Sequence, residues 1–365
     1  MSADESLLSG TLHLFVAFDW GEEIHLDQAR QLWPARSNEL VRRPRTPSSI
    51  SYRPVPLRFE LAPLELDLPE LGLIKATAEA TTFDFGAVSI AIRIPFSLTA
   101  AALTRLAARL AEPETLAQRA ASASESLYQK ILPAIRQPLR LPLSEEYFVF
   151  QFAPHTFAVS PEQLLDQSGK WLAGLLRLEA APLSSDEVSE ALRQRLTYTP
   201  ADLFLCEWAA AVLIDADCDD TLQVIEFANV QLLEFRHIDS RLDDRLEMAY
   251  DLIHPLARAR LPFWRTYTRP LRALGEMKVE ANSLFERTSS ALKLVGDQYL
   301  ARVYRQLATR FHLEEWEKNI RQSLEVVQEV YEVVSDQAAT YRTELLEVIV
   351  VILIMFEIVM AFVRH

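Results

Sequence analysis

The sequence predicts an α+β fold. An N-terminal, mostly antiparallel sheet with helices is followed by long antiparallel helical hairpins, a coiled-coil stalk and a single C-terminal transmembrane helix. Three observations carry this expectation. Runs rich in β-branched and aromatic residues, such as GTLHLFVAFD and EYFVFQF, lie in the first part of the chain. From Asp219 onward the pattern is almost entirely helical, and a total of only 8 glycines favours helix over tight turns. A 3–4 apolar repeat runs through Ile320, Leu324, Val327, Tyr331, Val334, Ala338, Tyr341, Leu345, Val348 and Ile352 and passes directly into an apolar tail, Leu345 to Val363.

The elements follow in order. Residues 10–19 read as a strand, and Leu26–Trp33 as a short helix. A Pro-, Ser- and Arg-rich loop comes next, placed at 34–56. Lys75–Thr82 and Gly86–Phe96 form a hairpin around FDFG, followed by helices at Thr99–Leu110 and Glu114–Ile135. Glu146–Phe152 is a strand, Pro161–Leu178 is helical, and Leu203–Cys206 with Ala209–Ile214 make a second strand pair. The hairpin-then-helix order occurs twice, which fits a diverged internal repeat. Long helices then run over Leu222–His254, ended by Pro255, over Leu271–Phe311, and over Leu313–Val363, the last about 75 Å long at 1.5 Å per residue. The domains expected are an α+β head at 1–215, a helical hairpin domain at 216–313, a coiled-coil stalk at 314–344 and a transmembrane helix at 345–363.

Composition bounds the function. With 365 residues, 50% of them apolar, most of the chain should fold. A net charge of −14 disfavours generic binding to nucleic acid or anionic lipid. Cys206 and Cys218 make neither a disulfide framework nor a metal pair. The opening MSADESLLSG lacks the basic and apolar regions of a signal peptide.

The tail, about 28 Å as a helix, approaches the ~30 Å of a bilayer core. Glu347 lies near its edge, whereas Glu357 lies near its middle and off the heptad seam, where a carboxylate needs a partner. The expectation is an assembly of more than two subunits that lets Glu357 meet a neighbour. The assembly residues are then Ile320, Leu324, Val327, Tyr331, Val334, Ala338, Tyr341, Glu347 and Glu357.

No P-loop, dinucleotide fingerprint, nucleophile elbow or zinc spacing is present, so the sequence assigns no catalytic, cofactor-binding or metal-ligating residue. Arg36, Arg42, Arg43, Arg45, Arg53 and Arg58 form a basic island, read either as a phosphate contact or as a solvated loop paired with acidic neighbours. Glu234, His237, Arg241 and Asp244 share a helix face and read either as an acid/base or ligand site or as a charge-laced helix surface. Glu226 and Asn229 stand among Ile225, Phe227, Val230 and Leu233, where polar groups need partners. Asp297, Tyr299 and Arg302 are the expected ones, and Arg236 and Asp239 complete the candidate polar cluster.

The segments IEFANVQLLEFR (Ile225–Arg236), LEVIVVILIMFEIV (Leu346–Val359) and FDFGAVSIAIRI together resemble the Required-for-Meiotic-Nuclear-Division family, also called YagE or Sad1-interacting-factor-like proteins, best over about 80–95 and 200–363. The resemblance implies a membrane-anchored protein of the bacterial type, with eukaryotic relatives in the mitochondrial inner membrane that support translation, and it supplies no catalytic residues. The function expected is a tail-anchored, homo-oligomeric membrane scaffold. Its bulk is cytoplasmic, its partners are lipid, further copies of itself, and a protein or RNA at the cytoplasmic face. Two alternatives are an oligomeric conduit lined in part by Glu357 and a membrane-tethered enzyme acting on nucleotides or nucleic acid.

Overall fold

A computed structural model describes the chain except residues 1–5, 34–36, 40–49, 53, 112–114, 140–142, 259–270, 273, 277, 280–281, 283–284, 287–291, 295–297 and 364–365. It divides into two units, Met1–Glu234 with Arg287–Glu314, and Phe235–Glu286 with Glu315–His365. The described elements are β1 (Leu8–Asp19), β2 (Gly21–Ile24), α1 (Leu26–Leu32), β3 (Ser37–Glu39), β4 (Ile50–Tyr52), β5 (Leu57–Glu60), β6 (Leu64–Leu68), β7 (Gly72–Thr82), β8 (Ala87–Leu98), α2 (Ala100–Leu110), α3 (Thr115–Ile131), β9 (Ile135–Pro138), β10 (Ser144–Phe152), α4 (Pro161–Arg177), α5 (Ser185–Ala191), β11 (Arg195–Leu196), β12 (Leu203–Cys206), β13 (Ala210–Ile214), α6 (Asp219–Arg258), β14 (Leu292–Leu294), α7 (Gln298–Arg310) and α8 (Leu313–Val363).

The first unit is built on a sheet in the order β11-β12-β13-β10-β1-β8-β7-β5-β3, with β6 on β7. Among the described strands of this sheet, pairing is antiparallel except between β10 and β13. Strand β1 sits at its centre, in register with β8 from Leu8↔Leu98 to Asp19↔Ala87 and with β10 from Gly10↔Phe152 to Phe18↔Ser144. Its alternation sorts the two faces. Leu12, Leu14 and Val16 enter the hydrophobic core with Leu103 and Leu106 of α2 and Leu172 and Leu175 of α4. His13, Phe15 and Ala17 point to the opposite face.

The start of α6 and α7 cover that opposite face. Phe227 lies 6.0 Å from Phe83, and Phe311 makes a T-shaped contact with Tyr147 at 5.1 Å. Tyr304 donates its hydroxyl to Gln231 Oε1 at 2.6 Å, which fastens α7 to α6. At the sheet edge, Arg302 and Gln306 donate to the carbonyls of Thr197 and Arg195 at 3.3 and 3.0 Å, so α7 occupies edge groups on and beside β11 that would otherwise be free to pair.

Local chemistry sets the element ends. Thr99 caps α2 by accepting from Ala102 N at 3.3 Å. Ser160 and Gln163 form a reciprocal capping box at α4, which stops at Leu178 in the left-handed region (φ 53). The β7–β8 turn ends at Gly86 (φ +101), whose carbonyl accepts from Trp20 N at 3.1 Å. A Cβ there would lie 1.7 Å from Gly21 O, so only glycine fits.

In the second unit, residues 271–286 are helical where described. Ile320, Val327 and Val334 of α8, at heptad spacing, are buried within the chain. Their neighbours on α8 meet that helical segment. Arg321 lies over the Phe285 ring at 4.8 Å, Lys278 bonds Gln328, and a Cβ at Gly275 would sit 3.8 Å from Tyr331.

Several expectations are corrected. Among the described residues no helix is long and apolar enough to cross a membrane, which overturns the transmembrane span at 345–363, the tail anchor and the membrane localisation. The described side chains of that run, Leu345 to Met360, extend about 24 Å at 1.5 Å per residue. They also include the two carboxylates Glu347 and Glu357. The conduit reading falls with the span. Helix α6 continues past Pro255 to Arg258. Leu271–Phe311 is not one helix, because β14 intervenes and pairs with β4. The loop expected at 34–56 holds β3 and β4, while Arg36, Arg42, Arg43, Arg45 and Arg53 lie outside the described residues.

Candidate functional site

Strands β10, β1, β8, β7 and β5 and helix α6 bring Gln151, His13, Arg93, Glu79, Arg58 and Glu226 into one polar row beneath α6. Pairing register does most of the placing. His13 stands directly opposite Arg93. Arg93 Nη2 donates to Glu79 Oε2 at 2.8 Å, and that oxygen lies 3.9 Å from Arg58 Nη1. Arg58 Nη2 donates to Glu226 Oε2 at 3.3 Å. At the other end His13 Nε2 meets Gln151 Oε1 at 2.7 Å. Asn229, one turn along α6, donates Nδ2 to the Glu145 carbonyl at 3.0 Å.

The row is electrically balanced. Arg93 and Arg58 alternate with Glu79 and Glu226, and His13 is neutral at pH 7. Burial pushes the His13 pKa down to about 4; the Gln151 bond and Asp219 oppose the shift and Arg93 adds to it. A buried charge is tolerable only with a partner, so Arg58 is what allows Glu226 to sit 3% exposed inside the fold.

A second ion-pair cluster ties α7 to β12–β13, α4 and α5. Arg310 Nη1 lies 2.9 Å from both Glu190 Oε1 and Glu207 Oε1, and Arg177 bridges Glu187 and Glu207 at 3.1 and 3.4 Å. Burial raises the Glu207 carboxyl although Arg310 and Arg177 pull it down.

These surroundings quieten the reactive groups. Burial lifts the thiols of Cys206 and Cys218 to about 12 and the Tyr147 hydroxyl well above its ordinary value, so none ionises near neutral pH. Among the described residues no group of three or more His, Cys, Asp or Glu is placed to hold a metal. A cleft of about 750 Å³ opens beside the start of α6, with Tyr198, Asp202, Asp215, Asp220 and Tyr299 on its walls. Asp202 is occupied there in structure, accepting from Tyr198 N and Thr199 N at 2.7 and 2.6 Å.

The structure brings Glu226 and Asn229 together beneath α6 but gives them partners other than those expected. Arg302 serves the sheet edge, and Asp297 lies outside the described residues. Arg236 and Asp239 belong to the second unit and are half-buried; burial, then Asp243, raises the Asp239 carboxyl. Glu234 and His237 are buried instead of lying on a charged surface. Of the assembly residues, Ile320, Val327 and Val334 are buried, Leu324 and Tyr331 half-buried, and Glu347 and Glu357 exposed. Nothing is described of the Ala338 and Tyr341 side chains. His13, Glu79, Arg93 and Gln151 are the members sequence reading missed; the signal available for His13 was a polar residue alternating with leucines in LHLFVAFD.

The family described as "Uncharacterized protein MJ0711, N-terminal domain" matches residues 9–221. The chain belongs to this family. The MJ0711 domain takes in the strands from β1 to β13 and ends in the first turn of α6, so His13, Arg58, Glu79, Arg93 and Gln151 lie within it and Glu226 just beyond. A relative from Methanocaldococcus jannaschii, "Uncharacterized protein MJ0711", is 23% identical over 243 residues, covering 65% of this chain and 72% of the relative. No solved structure matches. Neither match carries evidence for the Required-for-Meiotic-Nuclear-Division family, and two of the three segments behind that resemblance, Ile225–Arg236 and Leu346–Val359, lie outside residues 9–221.

Proposed function

We propose that this protein is a self-associating scaffold, in which the C-terminal part of α8 gathers more than two copies and each copy contributes one sheet-based head. The observation behind this reading is the exposure of consecutive apolar residues on α8. Val350, Val351, Ile352, Leu353 and Ile354 are 52%, 57%, 53%, 60% and 52% exposed. At about 100° per residue they cover every side of the helix. A helix apolar all round is stable only inside a larger packing, and a single partner helix covers one stripe of it. More than one neighbour is therefore needed, and copies of α8 supply them. The quiet chemistry of the buried row and thiols fits a binding role better than catalysis.

Sedimentation of the full-length protein tests the proposal. The expected mass exceeds that of a dimer, and Ile352→Asp with Met355→Asp lowers it with an unchanged circular-dichroism spectrum. A full-length protein that sediments as a single copy at micromolar concentration overturns it.

A further inference from the structure

The polar row contains more hydrogen-bonding capacity than its own members use. Thr81 of β7 and Ser89 of β8 are paired directly opposite each other, and Arg58 of β5 is opposite Thr81. All three project to the face under α6, because Leu57, Phe59, Ala80, Val88 and Ile90 between them enter the core on the other side. Thr81 is 2% exposed, Ser89 0% and Glu226 3%. Among the described residues, Thr81 Oγ1, Ser89 Oγ, Glu226 Oε1 and Arg58 Nε have no hydrogen-bond partner. Leaving such atoms unmet in the interior is costly, so a cluster of them points to a bound bridging group.

The mix of donors and acceptors selects the ligand. Arg58 Nε–H can only donate, Glu226 Oε1 can only accept, and the two hydroxyls do either. A cation cannot accept from Arg58, and an anion is repelled by Glu226. Only a small neutral ligand with both capacities satisfies the set. We infer that the space between β5, β7, β8 and α6 is a built site for ordered water. The water accepts from Arg58 Nε–H, donates to Glu226 Oε1 and shares its remaining bonds with Thr81 and Ser89. It cross-links α6 to three strands of the sheet.

The test pairs a crystal structure of the full chain at about 1.5 Å with two isosteric changes. Expected is a water within hydrogen-bond distance of Glu226 Oε1 and of at least one hydroxyl. Thr81→Val should then raise the unfolding equilibrium constant about tenfold, because it strands a bound water. Ser89→Ala should act similarly, and the double variant should cost less than the sum, since both remove partners of one water. Direct bonding among the four side chains without intervening density overturns the inference. So does a Thr81→Val protein as stable as the parent, or strict additivity of the two changes.

Discussion

Arg58 is the only cation placed between Glu226 and Glu79 among the described residues, and its side chain is 23% exposed against 4% for that of Glu226. Arg58→Ala should therefore cost about 3 kcal/mol in urea denaturation, most of it from the carboxylate left stranded under α6. Adding Glu226→Gln to that variant should return part of the loss, because the neutral amide needs no counter-charge. His13 makes a different prediction. Its folded pKa of about 4 lies below the 6.5 of an ordinary histidine, so the unfolded chain takes up the proton first. Its contribution is complete above pH 6.5 and is lost as pH falls from there toward 4, by about 3 kcal/mol. Stability measured across that window should decline less in His13→Asn, and the His13 imidazole resonances should titrate near pH 4 and not near 6.5.

At the scale of elements, the β7–β8 hairpin and the seam of α8 carry the sharpest expectations. Gly86→Ala sets a methyl against the Gly21 carbonyl and a non-glycine residue at positive φ, and should destabilise by more than about 2 kcal/mol in thermal unfolding. Ile320→Ala should cost about 3 kcal/mol, because the side chain is buried within the chain. The strands at the sheet's centre were legible: apolar residues alternate in LHLFVAFD and AVSIAIRI, and period two survives any tertiary context. The hairpin around FDFG was legible for the same reason, with glycine marking its turn. The site was much less so. Its members come from six separate elements, and the order β10-β1-β8-β7-β5 that makes them neighbours has no local signature. Glu226 and Asn229 stood out as polar residues in an apolar stretch, but Arg58 sat among arginines that read either as a phosphate contact or as a solvated loop paired with acidic neighbours. The heptads of α8 were visible too. Their pattern says that a helix packs, without saying whether the partner belongs to the same chain.

For the whole molecule, self-association is the property on which most depends. Leu346 and the apolar residues from Ile349 to Met360 remain exposed, whereas Ile320, Val327 and Val334 are buried within the chain. Substitutions at the two places should separate cleanly. Val327→Asp should unfold the second unit, detected as lost helical signal, while Ile352→Asp should change mass and leave that signal intact.

The central position of β1 has a bearing on synthesis. Its two edges are filled by strands that begin at Ala87 and Ser144, and β13 joins in parallel only after Ile214 has been made. A ribosome therefore extrudes a long apolar strand well before its second neighbour exists. Until then the nascent β1 offers a bare edge of amides and carbonyls. Slow closure, completed only once the late strands emerge, is the expected consequence of putting β1 in the middle.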